Sequence, residues 1–152
     1  MHLRGRVVMQ RAAFRPGFTL TETLIVVAVL LIAVVIGVPR YTGLRDRLAV
    51  DGAASGVVRA LVDARDAAMR LGTRAAVAID SQAASLVVHV RADTLVRMPL
   101  HDLFGVTLSS SRDSIAYAAT GLGYGASNAR VIVRRGNAAE TVSVSRTGRV
   151  LR

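Results

Sequence analysis

The 152-residue chain has no cysteine, which rules out both a disulfide framework and a thiolate metal site and leaves its redox compartment unreadable from thiol usage. Lysine is also absent: all 20 basic residues are arginine, a bias that speaks to coding more than to chemistry, because solvated positions seldom demand one cation over the other. Acidic residues are missing from positions 1–17, where Arg4, Arg6, Arg11 and Arg15 lie. No Lys, Arg or His falls between Thr19 and Val38. Recognisable catalytic spacing is lacking too. Gly121-Leu-Gly-Tyr-Gly125 has neither the strand-to-helix context nor the spacing of a dinucleotide loop and reads as a β-turn. Ser109 to Ser111 sits in no nucleophile elbow and reads as a polar loop. His89 and His101, with Asp93 and Asp102 near them in sequence, could supply a His/carboxylate metal set, but no spacing fixes its geometry. The expectation is a protein that is not an enzyme and needs no cofactor or metal.

What the chain does have is an apolar run. Phe18 to Val38 is 21 residues, which at about 1.5 Å per residue crosses roughly 30 Å, the thickness of a bilayer's hydrocarbon core. A secretory signal peptide has the same basic and apolar order but ends in a small-residue cleavage site, and Ile36-Gly37-Val38-Pro39-Arg40 offers none. The four arginines before the run place that end in the cytoplasm, so the bulk of the chain lies on the far side. Glu22 is the residue that a plain anchor does not explain, since a carboxylate at the edge of hydrocarbon is costly unless hydrated or paired. Hydration at headgroup level is one answer; a cation from another chain is the other.

Arg15-Pro-Gly-Phe-Thr-Leu-Thr-Glu22, set directly before this run, resembles the prepilin signal of type IV pilins and type II secretion pseudopilins. The resemblance implies that a membrane prepilin peptidase cuts after Gly17 and that the new N-terminal Phe18 is N-methylated. It makes Glu22 the fifth mature residue and gives it an assembly role, neutralised by the N-terminal amine of a neighbouring subunit. Pro39 falls where pilin-like helices often carry a proline, and by removing one backbone bond it would bend the helix. Loss of the four leader arginines leaves 16 Arg against 10 acids, a mature net charge of +6 in place of +10.

Beyond Arg40, apolar residues recur at helical spacing at Leu44, Leu48, Val58, Leu61, Val62 and Met69, with Ala53, Ala54 and Ala68 on the same face. Asp51, Arg59, Asp63, Asp66 and Arg70 mark the opposite face, Asp66 and Arg70 forming an i,i+4 pair. Leu71-Gly72 reads as the stop. The period then becomes alternating, predicting strands at 74–79, 85–91, 94–100, 106–110, 114–120, 129–135 and 141–145, with a short last one at 150–151. In 85–91, Leu86, Val88 and Val90 share one face and His89 with Arg91 the other. Strands this close together leave no room for helical crossovers, so the expected fold is α+β: a long N-terminal helix packed on an antiparallel β head.

The C-terminal half, through Ser114 to Thr120, Gly121 to Gly125, Arg130 to Arg134, Val142 to Ser145 and the closing Thr147-Gly-Arg-Val150, resembles the GspH/FimT branch of the pilin family. Taken together the resemblances imply a leader at 1–17, a transmembrane helix at 18–39, an amphipathic continuation at 40–72 and a β-rich periplasmic head at 73–152. They imply a minor pseudopilin of a type II secretion system, single-pass in the bacterial inner membrane with a cytoplasmic N-terminus. Its partners would be the prepilin peptidase and other major and minor pseudopilins or pilins. The alternative is a FimT-like minor type IV pilin for pilus assembly or DNA uptake, binding nucleic acid through Arg146, Arg149 and Arg152. Some FimT-type pilins bind DNA through a Gly-Arg-x-Arg element, and Gly148-Arg-Val-Leu-Arg152 is one residue longer, which disfavours that reading.

Overall fold

A computed structural model describes residues 17–125 and 128–152, so the leader arginines lie outside the described residues. The first element, α1 (Leu20–Arg70), opens with Thr19 as its cap. It runs without interruption through Pro39, which therefore does not end the membrane-length segment. The chain forms two compact units, one extending through Val38 and one from Pro39 to Arg152. In the first, every described residue is exposed, including all the large apolar side chains from Leu20 to Val38.

The second unit is built on one face of the later part of α1. Val50, Ala53, Ala54, Val57, Ala60, Leu61, Ala64, Ala67 and Ala68 are buried, a stripe recurring at three- and four-residue steps. This corrects the face expected from sequence. Leu44, Leu48, Val62 and Met69 are exposed, and the face packed into the core is the one carrying the alanines with Val50, Val57 and Leu61. The exposed i,i+4 ion pair found on the helix joins Arg59 to Asp63, at 3.9 Å, in place of the expected Asp66–Arg70 pair.

Among the described residues nine strands follow, every pairing antiparallel. They are β1 (Ala75–Asp80), β2 (Ser85–Val90), β3 (Asp93–Pro99), β4 (Thr107–Ser110), β5 (Ser114–Tyr117), β6 (Gly123–Tyr124), β7 (Ala129–Arg135), β8 (Ala138–Val144) and β9 (Val150–Leu151). One sheet has the order β3-β2-β1-β5-β6 and the other β4-β7-β8-β9. The chain thus leaves the first sheet for β4, returns for β5 and β6, and leaves again. Inward residues of both sheets, among them Val77, Leu86, Val88, Ile115, Tyr117, Val131, Val133, Val142 and Val144, join the α1 stripe in one apolar cluster. The fold is α+β, with a long helix packed on antiparallel sheet, as the sequence predicts.

Several boundaries differ from expectation. A short helix, α2 (Leu100–Phe104), takes Leu100 out of the strand predicted at 94–100; Pro99 stops β3 and Gly105, at φ +63°, ends the helix. Phe104 reaches Gly52 of α1, where an added Cβ would stand 2.8 Å from its ring. The turn at 121–125 contains β6, paired back on β5, and β5 itself stops at Tyr117, three residues early. β8 begins three residues earlier than predicted because the tight Gly136-Asn137 turn lets pairing with β7 start at once. Arg91 is not on a strand face but in the β2–β3 turn, with φ +56°.

Candidate functional site

The residues singled out by sequence fall at two places. At the first, the described chain begins with Gly17, and Phe18 is 88% exposed. An added Cβ at Gly17 would meet nothing within 4 Å among the described residues. Thr19 and Glu22 form a reciprocal cap: the Thr19 N–H donates to Glu22 Oε2 at 3.0 Å, the Thr19 hydroxyl donates to the same oxygen at 2.9 Å, and the Glu22 N–H donates to Thr19 Oγ1 at 3.2 Å. The Thr-x-x-Glu spacing was visible in the sequence, and it gives Glu22 a partner within its own chain that a search for cations misses. Behind this cap the N-terminal part of α1 is long and apolar enough to cross a membrane. Its exposed apolar side chains on all sides have the composition of a segment whose surroundings are lipid or other helices.

The second place is the C-terminus. The Ser145–Arg149 turn closes by Gly148 N–H to the Ser145 carbonyl and Ser145 N–H to the Arg149 carbonyl, both at 2.9 Å. Gly148 sits at φ +82°, and an added Cβ would lie 2.9 Å from both the Gly123 nitrogen and Tyr117 Cε1. The glycine of the closing Thr-Gly-Arg is therefore required by the fold. From here the three arginines part company. The Arg152 side chain is about one-third exposed and each of its three guanidinium nitrogens has a partner. It pairs with both oxygens of Glu140 on β8 and with the Asp51 carboxylate on α1, and donates to Ser55 Oγ at 2.8 Å and the Asp51 carbonyl at 3.3 Å. Hydrogen bonding to Glu140 is the main cause holding Arg152 above the ordinary arginine range, partial desolvation opposing it and the Glu140 and Asp51 charges adding to it. Arg149 is exposed. Arg146 is exposed and engaged in an interaction of its own. The structure does not present the three as one open cationic patch.

Other candidates are dispersed. His101 lies in α2, its Nδ1 3.3 Å from the Val106 carbonyl and its N–H donating to the Ala84 carbonyl at the start of β2. His89 is near the other end of β2, beside Thr94, five residues or roughly 16 Å further along. The His/Asp set is thus not assembled, and no group of three or more metal-ligating side chains occurs among the described residues. Ser110 Oγ accepts from the Arg112 N–H and donates to the Arg112 carbonyl, and Ser111 Oγ accepts from the Arg130 N–H, so these serines hold turns. Two features escaped the sequence reading. Arg135 binds Asp46 of α1 at 3.0 Å and donates to the Phe104 carbonyl. The Tyr117 hydroxyl and Arg65 Nε are buried without a hydrogen-bond partner among the described residues. Burial pushes the Tyr117 phenol up, with nearby Arg65 opposing.

No family model and no curated protein matches the sequence. Two crystal structures of the type IV minor pilin FimU from Pseudomonas aeruginosa PAO1 do match the fold. The form in space group P21 gives a TM-score of 0.60 at 16% identity, covering 69% of this chain and 88% of FimU. The form in P65 gives 0.57 at 16% identity, covering 66% and 90%. The fold is that of a type IV minor pilin. In this chain the apolar stretch and its Thr19–Glu22 cap lie at the N-terminal end of α1, and the Arg152 contacts lie on the β head, where α1, β8 and β9 meet.

Proposed function

We propose that this chain is a minor subunit of a pilin-type filament, matured by a prepilin peptidase that cuts after Gly17 and followed by N-methylation of Phe18. The observation that carries the reading is the pilin fold joined to an exposed apolar N-terminal helix that opens with Glu22 directly after the Gly17-Phe18 junction. The basic residues before Phe18 orient the N-terminus to the cytoplasm and the head to the periplasm, with the chain single-pass in the inner membrane. The role is structural: helix packing in the membrane and filament, with Glu22 offered to a neighbour's N-terminal amine, Pro39 allowing the helix to bend, and a head that meets other subunits.

Within that role the GspH-like motifs support a type II secretion pseudopilus, involved in protein secretion. The likeness to FimU favours a second reading, a minor subunit of a type IV pilus. DNA binding by Arg146, Arg149 and Arg152 is the weakest form of that second reading, because Arg152 already carries two carboxylates. The absence of native cysteine makes the test clean. A single Cys introduced at the exposed Leu44 should crosslink this chain to another pilin-type subunit in its native cells, and crosslinking that finds no such partner contradicts the reading. Deleting the gene then separates the two systems: loss of exoproteins from the medium points to secretion, loss of surface pili to the pilus.

A further inference from the structure

The outward face of the five-stranded sheet carries a concavity at the end where α1 gives way to β1 and β2 turns into β3. Its volume is about 530 Å³, within the range of sites that enclose a ligand or a few side chains. The floor is made of small residues: Ala76 and Ala116, facing each other in register across β1 and β5, with Ser114 beside them. The walls are Arg74, Arg91 and His89, the last in register with Ala76 across β1 and β2. No carboxylate lines it among the described residues. Arg74 stands over the Tyr124 ring, 5.0 Å from its centroid, which places the guanidinium at the rim. Arg91 is held at φ +56°, a left-handed backbone that is unfavourable for a side-chain-bearing residue and that glycine or asparagine would take more easily. An arginine kept in that conformation points to a use for its side chain.

We infer that this concavity is the docking site for an acidic segment of a partner protein, a protruding loop or tail whose carboxylates engage Arg74 and Arg91 while its backbone lies over the alanine floor. Charge complementarity selects the occupant: two guanidiniums on one small recess suit a pair of carboxylates, each able to accept two parallel N–H bonds. Small floor residues let a chain approach the sheet, and a longer side chain at either alanine would fill the recess. Duplex DNA fits less well. Even single DNA-binding modules bury about 600–1,000 Å² against a convex duplex, and this site is a concave recess lined by two arginines. The inference stands apart from the filament reading, because it concerns the head alone and its test needs no filament.

The test is fluorescence anisotropy with a labelled hexaglutamate peptide and the full chain in neutral detergent micelles. Arg74→Gln with Arg91→Gln should weaken binding about tenfold or more, as loss of two charge-assisted contacts implies. Arg130→Gln with Arg134→Gln, an equal change of charge at exposed positions on the other sheet, should change it less than about twofold. Ala116→Leu fills the floor at unchanged charge and should also abolish binding; it carries the test if losing the Arg74 contact with Tyr124 loosens the head. Equal weakening by the two double variants, full binding by Ala116→Leu, no peptide binding at all, or displacement of the peptide by lower concentrations of duplex DNA would each overturn the inference.

Discussion

Glu22 is bound by its own helix cap, and the assembly role proposed for it would be a second job for the same carboxylate. As a cap it needs only an acceptor, which glutamine also supplies; as an assembly residue it needs its charge. Both Glu22→Ala and Glu22→Gln should insert and be cleaved normally, and both should lose crosslinking to neighbouring subunits severalfold. Normal assembly of Glu22→Gln would reduce Glu22 to a cap. Tyr117 offers a second test at this scale. Its phenol is raised by burial, so the stability tied to its neutral form is complete below the ordinary phenol pKa near 10 and is lost as pH climbs through the higher folded value. An ultraviolet alkaline titration should show one tyrosinate appearing late, and Tyr117→Phe should remove that step with no loss of thermal stability, since it deletes a buried hydroxyl with no partner among the described residues. A marked loss of stability would mean that the hydroxyl has a partner after all.

Among the elements, the C-terminal β9 is fixed by Arg152 reaching to β8 and to α1, and by the turn at Gly148. Arg152→Gln should lower head stability by about 1 kcal/mol, a fall of about 4 °C in Tm, while Arg149→Gln stays within about 0.5 kcal/mol; differential scanning calorimetry reads both. Gly148→Ala should cost about 2 kcal/mol or more, because left-handed strain and the close approach of Tyr117 add together. Gly125→Ala, left-handed at φ +68° but in open space, should pay for strain alone. The strands were legible because alternation survives wherever one face is buried, as in β2, whose Leu86, Val88 and Val90 are inward. The buried face of α1 was not legible in full. Alanine's small side chain marks neither side of a helix strongly, and only the packing of the folded head shows that Ala60, Ala64 and Ala67 go inside while Leu44 and Leu48 stay out. Likewise, that Arg135 would find Asp46 and Arg152 find Asp51 depends on pairings between elements 89 and 101 residues apart, which no local pattern encodes.

At the scale of the whole molecule, an α1 whose first part is exposed and apolar and whose later part carries the head is the architecture of a protein that lives in two settings. The sequence alone pointed to this through the local run from Arg15 to Glu22, which lies within one segment and needs no tertiary information. The site on the outer sheet face went unread for the opposite reason: Arg74, Arg91 and Ser114 come together only once β1, β2 and β5 pair. The measurement that bears most directly on the account is N-terminal mass spectrometry of the chain purified from its native membrane. The account predicts a mature form that begins at Phe18, with one added methyl group on its amine. A chain that retains residues 1–17, or one that begins beyond Pro39, would contradict it.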